Sequence, residues 1–93
     1  MDKKFILIVY DISNDRRRTK LHDLLRDYGT PVQYSVFECI MDDEAVERLT
    51  ARLADMVSDE DSVRLYALCS KCYSGARVLG SGKVTKDEDV YIL

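Results

Sequence analysis

The stretch over residues 4–20, KFILIVYDISNDRRRTK, limits what this chain can fold into more than any other. Six consecutive apolar or aromatic residues, 5–10, run into a single acid, Asp11. Both alternating sets are apolar: Phe5, Leu7 and Val9 on one side, Ile6, Ile8 and Tyr10 on the other. A strand with one wet face alternates apolar with polar residues, so this strand is expected to be covered on both faces. Ser13, Asn14 and Asp15 follow, each able to cap a helix N-terminus. Four cations come next: Arg16, Arg17, Arg18 and Lys20. A buried strand that ends in a carboxylate, with cations one turn later, sets an oxygen ligand for a metal beside groups that bind phosphate.

The rest of the chain supports that stretch. Leu21, Leu24, Leu25 and Tyr28 fall at i, i+3, i+4 and i+7, which predicts an amphipathic helix of about four turns. Gly29 is expected to close it as a left-handed cap, with Pro31 preventing a restart. Residues 32–41, VQYSVFECIM, read as extended, either as one strand or as a tight hairpin turning at Tyr34 and Ser35. Asp42 and Asp43 offer a second cap. Val46, Leu49, Leu53, Met56 and Val57 then mark a second amphipathic helix. Residues 62–68 predict a strand with Val63, Leu65 and Ala67 on one side and Arg64, Tyr66 and Leu68 on the other. Residues 69–75 read as a turn or short helical piece, and 77–79 as a short strand. Residues 80–89 read as a connector, and 90–93 as a short C-terminal strand that adds to a sheet edge, that of a partner subunit.

Strand, helix, strand or hairpin, helix, strand is the order of an α+β ferredoxin-like sandwich, βαββαβ. Residues 1–80 form the core domain and 81–93 the connector and final strand. Two helices cover one face of such a sheet, yet the first strand is apolar on both. A second copy packed sheet to sheet resolves this, which predicts a homodimer.

The chain has 93 residues and a formal net charge of −3, so phosphate binding must be local rather than spread over a basic surface. No apolar run approaches the ~20 residues that span a bilayer, and no secretory signal is present. A cytoplasmic, membrane-free protein is expected. Three cysteines do not make a disulfide framework. Cys69 and Cys72 form a lone C-x-x-C, and Cys39 reads as core.

Asp11 continues the Phe5, Leu7, Val9 set. If that face meets a second copy, two carboxylates approach the twofold axis and repel unless a proton or cation lies between them. Mg²⁺ or Mn²⁺ suits such a site and activates water for attack on a phosphodiester. Asp11 also fits a simple turn-forming role. Three arginines in the first turn of a helix oppose its dipole, and an arriving anion removes that cost. Arg17 and Arg18 flank the packed face and lean towards Asp11; Arg16 and Lys20 point outward. Tyr10 and Phe37 read first as core aromatics.

Three segments, VYDISNDRRRTKL, YGTPVQYSVFEC and DSVRLYALCSKC, resemble in order and spacing the small CRISPR-associated protein of the spacer-adaptation module, the Cas-two family. The resemblance covers roughly residues 4–80. It implies a ferredoxin-like fold and a homodimer whose C-terminal segment pairs with the neighbouring subunit. It also implies that the run at 32–41 is two short strands with a tight turn. It further implies divalent-metal-dependent endonuclease activity on single-stranded RNA or double-stranded DNA, and assembly with the CRISPR integrase subunit for spacer acquisition. By position, Asp11 matches the family's metal-binding catalytic acid, and Tyr10, Arg18 and Phe37 match positions around the site. Arg16, Arg17, Arg18 and Lys20 are the candidate nucleic-acid contacts. The alternative is a non-catalytic DNA-binding scaffold of the integration complex. A ferredoxin-like metal carrier fits poorly, because Cys69 and Cys72 follow the last main strand rather than the first.

Overall fold

Alternation divides the side chains of β1 (Lys4–Asp11) between two environments. Ile6, Ile8 and Tyr10 are buried and form the core with Ile12 and the two long helices. Phe5, Leu7, Val9 and Asp11 point to the other side of the sheet. A computed structural model of the chain describes residues 3–82, 84 and 85.

Both helices start at the caps read from the sequence. Asn14 opens α1 (Asp15–Arg26), its side-chain oxygen accepting from the Arg17 amide at 2.9 Å. Leu21, Leu24 and Leu25 are the buried stripe. Asp42 opens α2 (Asp43–Met56), accepting from the Ala45 amide at 2.9 Å, and this helix buries Ala45, Leu49 and Leu53.

Gly29 has a different role from the one expected. Helix α1 ends at Arg26 with Asp27 as its right-handed cap, and Gly29 begins β2 (Gly29–Gln33). A Cβ there would lie 2.3 Å from the Cys39 sulfur and 2.5 Å from the Glu38 carbonyl oxygen. The absent side chain, rather than a positive φ, is what lets β2 approach β3 (Val36–Met41) so closely. The run at 32–41 is therefore a hairpin. Tyr34 and Ser35 form its two-residue turn, with Ser35 at φ 66° and its carbonyl accepting from the Tyr10 amide at 3.1 Å. Pro31 sits in an edge strand, where a missing N–H is tolerated.

The last strand is β4 (Ser62–Leu68), followed by a short helix α3 (Ser70–Ser74). The sheet order is β2-β3-β1-β4 with every pairing antiparallel, a ferredoxin-like arrangement with both long helices on one face.

Residues 77–79 are not a strand. With Ser81 and Gly82 they line a hollow beside Thr30–Gln33 of the edge strand and Glu38. Tyr73 of α3 lies on Phe5 of that face, ring centroids 4.7 Å apart. The Tyr73 hydroxyl donates to the Thr85 carbonyl. Thr85 in turn donates to the Glu38 carboxylate from its hydroxyl at 2.7 Å and its amide at 3.2 Å. The chain thus covers part of its own open face, which accounts for the burial of Phe5. Leu7 and Val9 remain half-buried. The strand expected at 90–93 lies outside the described residues.

Candidate functional site

Asp11 closes β1 on the open face, exposed, as its alternation with Phe5, Leu7 and Val9 requires. Register with β4 sets Ser62 opposite Asp11, Arg64 opposite Val9 and Tyr66 opposite Leu7. Directly opposed residues share a face, so the three line a hollow with Val9 and Asp11. Arg64 donates to the Tyr66 hydroxyl at 3.4 Å, and Tyr66 is 46% exposed. Among the described residues the Asp11 carboxylate has no hydrogen-bond or ion-pair partner. A carboxylate and a guanidinium are therefore available together at one end of the face.

Arg64 and Tyr66 were not singled out from the sequence. The period-2 pattern of SVRLYAL gives their common side. That this side adjoins Asp11 follows only from β4 pairing with β1, which is set by topology.

The four cations at 16, 17, 18 and 20 separate into two pairs. Arg17 is held by Asp61 through Nε at 2.9 Å and Nη2 at 3.2 Å, and Nη2 also donates to the Ser58 hydroxyl at 3.2 Å. The Asp61 side chain is fully buried in this contact. Arg18 donates to the Ile12 carbonyl at 2.8 Å and pairs with Asp15. Arg16 and Lys20 are exposed, without an ion pair among the described residues. Arg17 and Arg18 brace the start of α1 against the α2–β4 loop and the end of β1; Arg16 and Lys20 face solvent.

The bond from the Arg17 guanidinium, reinforced by the Ser58 amide and hydroxyl, pulls the Asp61 carboxyl down to about 2. A carboxyl depressed on folding stabilises the folded state above its unfolded value of ~4 and loses that contribution as pH falls through the folded value. Urea midpoints are accordingly expected to fall between about pH 4 and pH 2. Asp61→Asn should be less stable than wild type at pH 7 and show a flatter dependence through that window.

Tyr10 and Phe37 are both core residues, on the side of the sheet opposite Asp11. The Tyr10 hydroxyl is hydrogen-bonded to His22 Nδ1 at 3.2 Å, and the His22 ring meets Phe37 edge-on at 5.1 Å. Burial raises the Tyr10 phenol, with a smaller opposing effect from Arg18. His22 is half-buried in this contact.

No group of three His, Cys, Asp or Glu side chains able to hold a metal occurs among the described residues. Asp11 offers an exposed oxygen donor of the kind hard cations take, with room for retained waters. Among the described residues it fits a metal as a single ligand and not as part of a cage.

Comparison with known proteins gives a consistent result. Residues 4–76 match the family described as CRISPR associated protein Cas2. The CRISPR-associated endoribonuclease Cas2 1 of Chloroflexus aurantiacus is 40% identical over 92 residues, covering 96% of this chain and 99% of that protein. The crystal structure of Streptococcus pyogenes Cas2 superposes with a TM-score of 0.71 at 29% identity, covering 82% of this chain and 99% of the other. A chain of a partial Cas6-RT-Cas1 and Cas2 complex superposes with a TM-score of 0.61 at 25% identity, covering 88% and 99%. The family match runs from the first strand through α3, and each relative is covered almost end to end: the chain belongs to the Cas2 family of CRISPR-associated proteins.

Proposed function

We propose that this protein acts in CRISPR adaptation in the cytoplasm, as a homodimer that binds duplex DNA together with the integrase subunit. We further propose that it is a divalent-metal-dependent endonuclease acting on single-stranded RNA or double-stranded DNA. The observation that carries the catalytic part is Asp11: a carboxylate on the open face with no partner among the described residues, one strand away from Arg64. Support for the partner comes from the likeness to a chain in a complex with Cas1, and for the activity from a relative named an endoribonuclease. The half-buried Leu7 and Val9 favour a second copy on the open face.

In this reading Asp11 of each subunit would hold Mg²⁺ or Mn²⁺. A bound divalent cation supplies Lewis acidity and lowers the pKa of water at a phosphodiester. Arg64 grips a phosphate oxygen beside Asp11 with its planar fork. Arg16 and Lys20, held outward by the braced turn of Arg17 and Arg18, contact the nucleic-acid backbone. Tyr10 and Phe37 keep the end of β1 in place from the opposite side.

Two experiments test this reading. Purified protein should cleave single-stranded RNA or a short duplex with Mg²⁺ or Mn²⁺ and stop when chelator is added; cleavage indifferent to chelator would dismiss a metal centre. The double reversal Arg16→Glu/Lys20→Glu should weaken duplex binding at least ~10-fold. Undiminished binding would move the nucleic-acid contact away from α1.

One observation favours the scaffold alternative. Among the described residues the hollow holds a single acid, Asp11, and the described imidazole, His22, is occupied on the far side of the sheet. Of the described residues that line the hollow with Asp11, none is suited to act as a general base at neutral pH. In that reading the α1 cations bind DNA and Asp11 has no catalytic role.

A further inference from the structure

The turn from β4 into α3 brings two exposed thiols together. Cys69 precedes α3 and Cys72 lies within it, with their sulfurs 3.5 Å apart. Both are free and exposed, whereas Cys39 is free and buried. A disulfide requires a sulfur separation of about 2.05 Å, which small side-chain rotations provide from this starting distance. The backbone is already in place: the Tyr73 amide donates to the Cys69 carbonyl at 2.9 Å and holds the turn closed.

We propose that Cys69 and Cys72 form a reversible redox site, closing to an intramolecular disulfide by exchange with a small-molecule disulfide, and that this closure changes how the C-terminal segment is held on the sheet.

The chemistry runs as two exchanges. The Cys69 thiolate attacks one sulfur of the small disulfide, whose S–S bond breaks. One small thiolate leaves and takes up a proton, and a mixed disulfide remains on Cys69. Cys72 then loses its proton and attacks the Cys69 sulfur. The Cys69–Cys72 bond forms, and the second small thiolate leaves and is protonated. The protein gives up two electrons and two protons, and the small disulfide becomes two thiols.

The order of attack has a physical basis. The Cys72 amide, with further help from the Cys72 thiol and the Lys71 amide, stabilises the Cys69 thiolate and lowers its pKa. Cys72 is shifted the other way by its contact with Cys69. Burial pushes the Cys39 thiol up to about 12, which removes it as a competitor.

The site is connected to the open face through the next residue. Tyr73 follows Cys72 directly, packs on Phe5 and donates to the Thr85 carbonyl, and Thr85 is anchored on Glu38. Closing the 69–72 loop fixes the turn that aims Tyr73. Oxidation therefore bears on the attachment of the tail, on the face that carries Asp11.

The test uses the full chain in buffers of reduced and oxidised glutathione, quenched with acid, alkylated and mapped by mass spectrometry. The expected product is two hydrogens lighter, with a link between Cys69 and Cys72 and Cys39 alkylated only after unfolding. Cys69→Ser and Cys72→Ser should each abolish the link, and Cys39→Ser should leave it intact. Hydrogen exchange at the Tyr73 and Thr85 amides should change by roughly threefold or more on oxidation of wild type and not of Cys72→Ser. Failure of the 69–72 link to form, links only between molecules, or stoichiometric zinc that shields both thiols would overturn the redox site. A link that forms without altering exchange at Thr85 would overturn the coupling to the tail.

Discussion

Asp11→Ala is expected to remove metal-dependent phosphodiester cleavage by at least ~100-fold, because loss of groups that merely support a metal ligand already costs roughly 10–100-fold. Duplex binding should change little, since the α1 cations and Arg64 are untouched. The mutation is also a clean one. Asp11 is exposed and its carboxylate holds nothing else in place among the described residues, so stability should stay within about 0.5 kcal/mol of wild type. A loss of activity then reports chemistry rather than unfolding. Cleavage assays run on identically purified wild type and variant, with Mn²⁺ and with chelator, provide the measurement. Equal cleavage by the two proteins would discard the paired-carboxylate centre. A silent wild type that still binds duplex DNA would leave the scaffold reading in its place.

Phe37→Ala is expected to cost about 3–5 kcal/mol, against a total stability of about 5–15 kcal/mol for an ordinary domain. Phe37 is fully buried near the start of β3, opposite Ile8, and its ring centroid lies 6.3 Å from that of Tyr10 and 5.1 Å from that of His22. Truncation leaves a cavity under the Tyr10–His22 bond that helices α1 and α2 cannot close without shifting the sheet. Urea denaturation followed by circular dichroism measures the loss; Phe37→Leu should recover most of it. The resemblance to the Cas2 family set Phe37 near the site, and the structure gives it a supporting position: it fixes the side of β1 that faces away from Asp11. A variant of unchanged stability that lost nucleic-acid binding would instead make Phe37 a direct contact.

Local features of this fold were legible in the sequence because local forces set them. Asn14 and Asp42 cap the helices as their side chains dictate, the apolar spacing of α1 and α2 gives the buried stripes, and alternation gives the side on which Asp11 emerges. Long-range features were not legible. Arg17 and Asp61 are far apart in the chain, so nothing in the basic run shows that one of its arginines is already engaged. Gly29 carries the same letter whether it serves a left-handed cap or a tight strand approach, and only the nearness of Cys39 separates the two. The double apolar pattern of β1 was assigned wholly to a partner subunit. Part of its cover, Tyr73 on Phe5, comes from the short helical piece at 69–75, whose local pattern does not show which face it meets. Arg64 and Tyr66 needed the strand order before they became neighbours of Asp11.

The pairing of Arg17 with Asp61 and of Arg18 with Asp15 has a consequence in the ion atmosphere of a bound duplex. DNA releases condensed counterions when incoming cations take their place, and a cation already neutralised within the protein displaces none. Of the four positive side chains at 16, 17, 18 and 20, two are available for that exchange. At about −0.9 in the logarithmic salt slope per phosphate neutralised, this stretch contributes about −1.8 per subunit rather than the roughly −3.6 that counting letters suggests. On the proposed function, a short basic run in a protein of net charge −3 would thus bind more gently than it reads, restrained by the same ion pairs that fasten α1 in place.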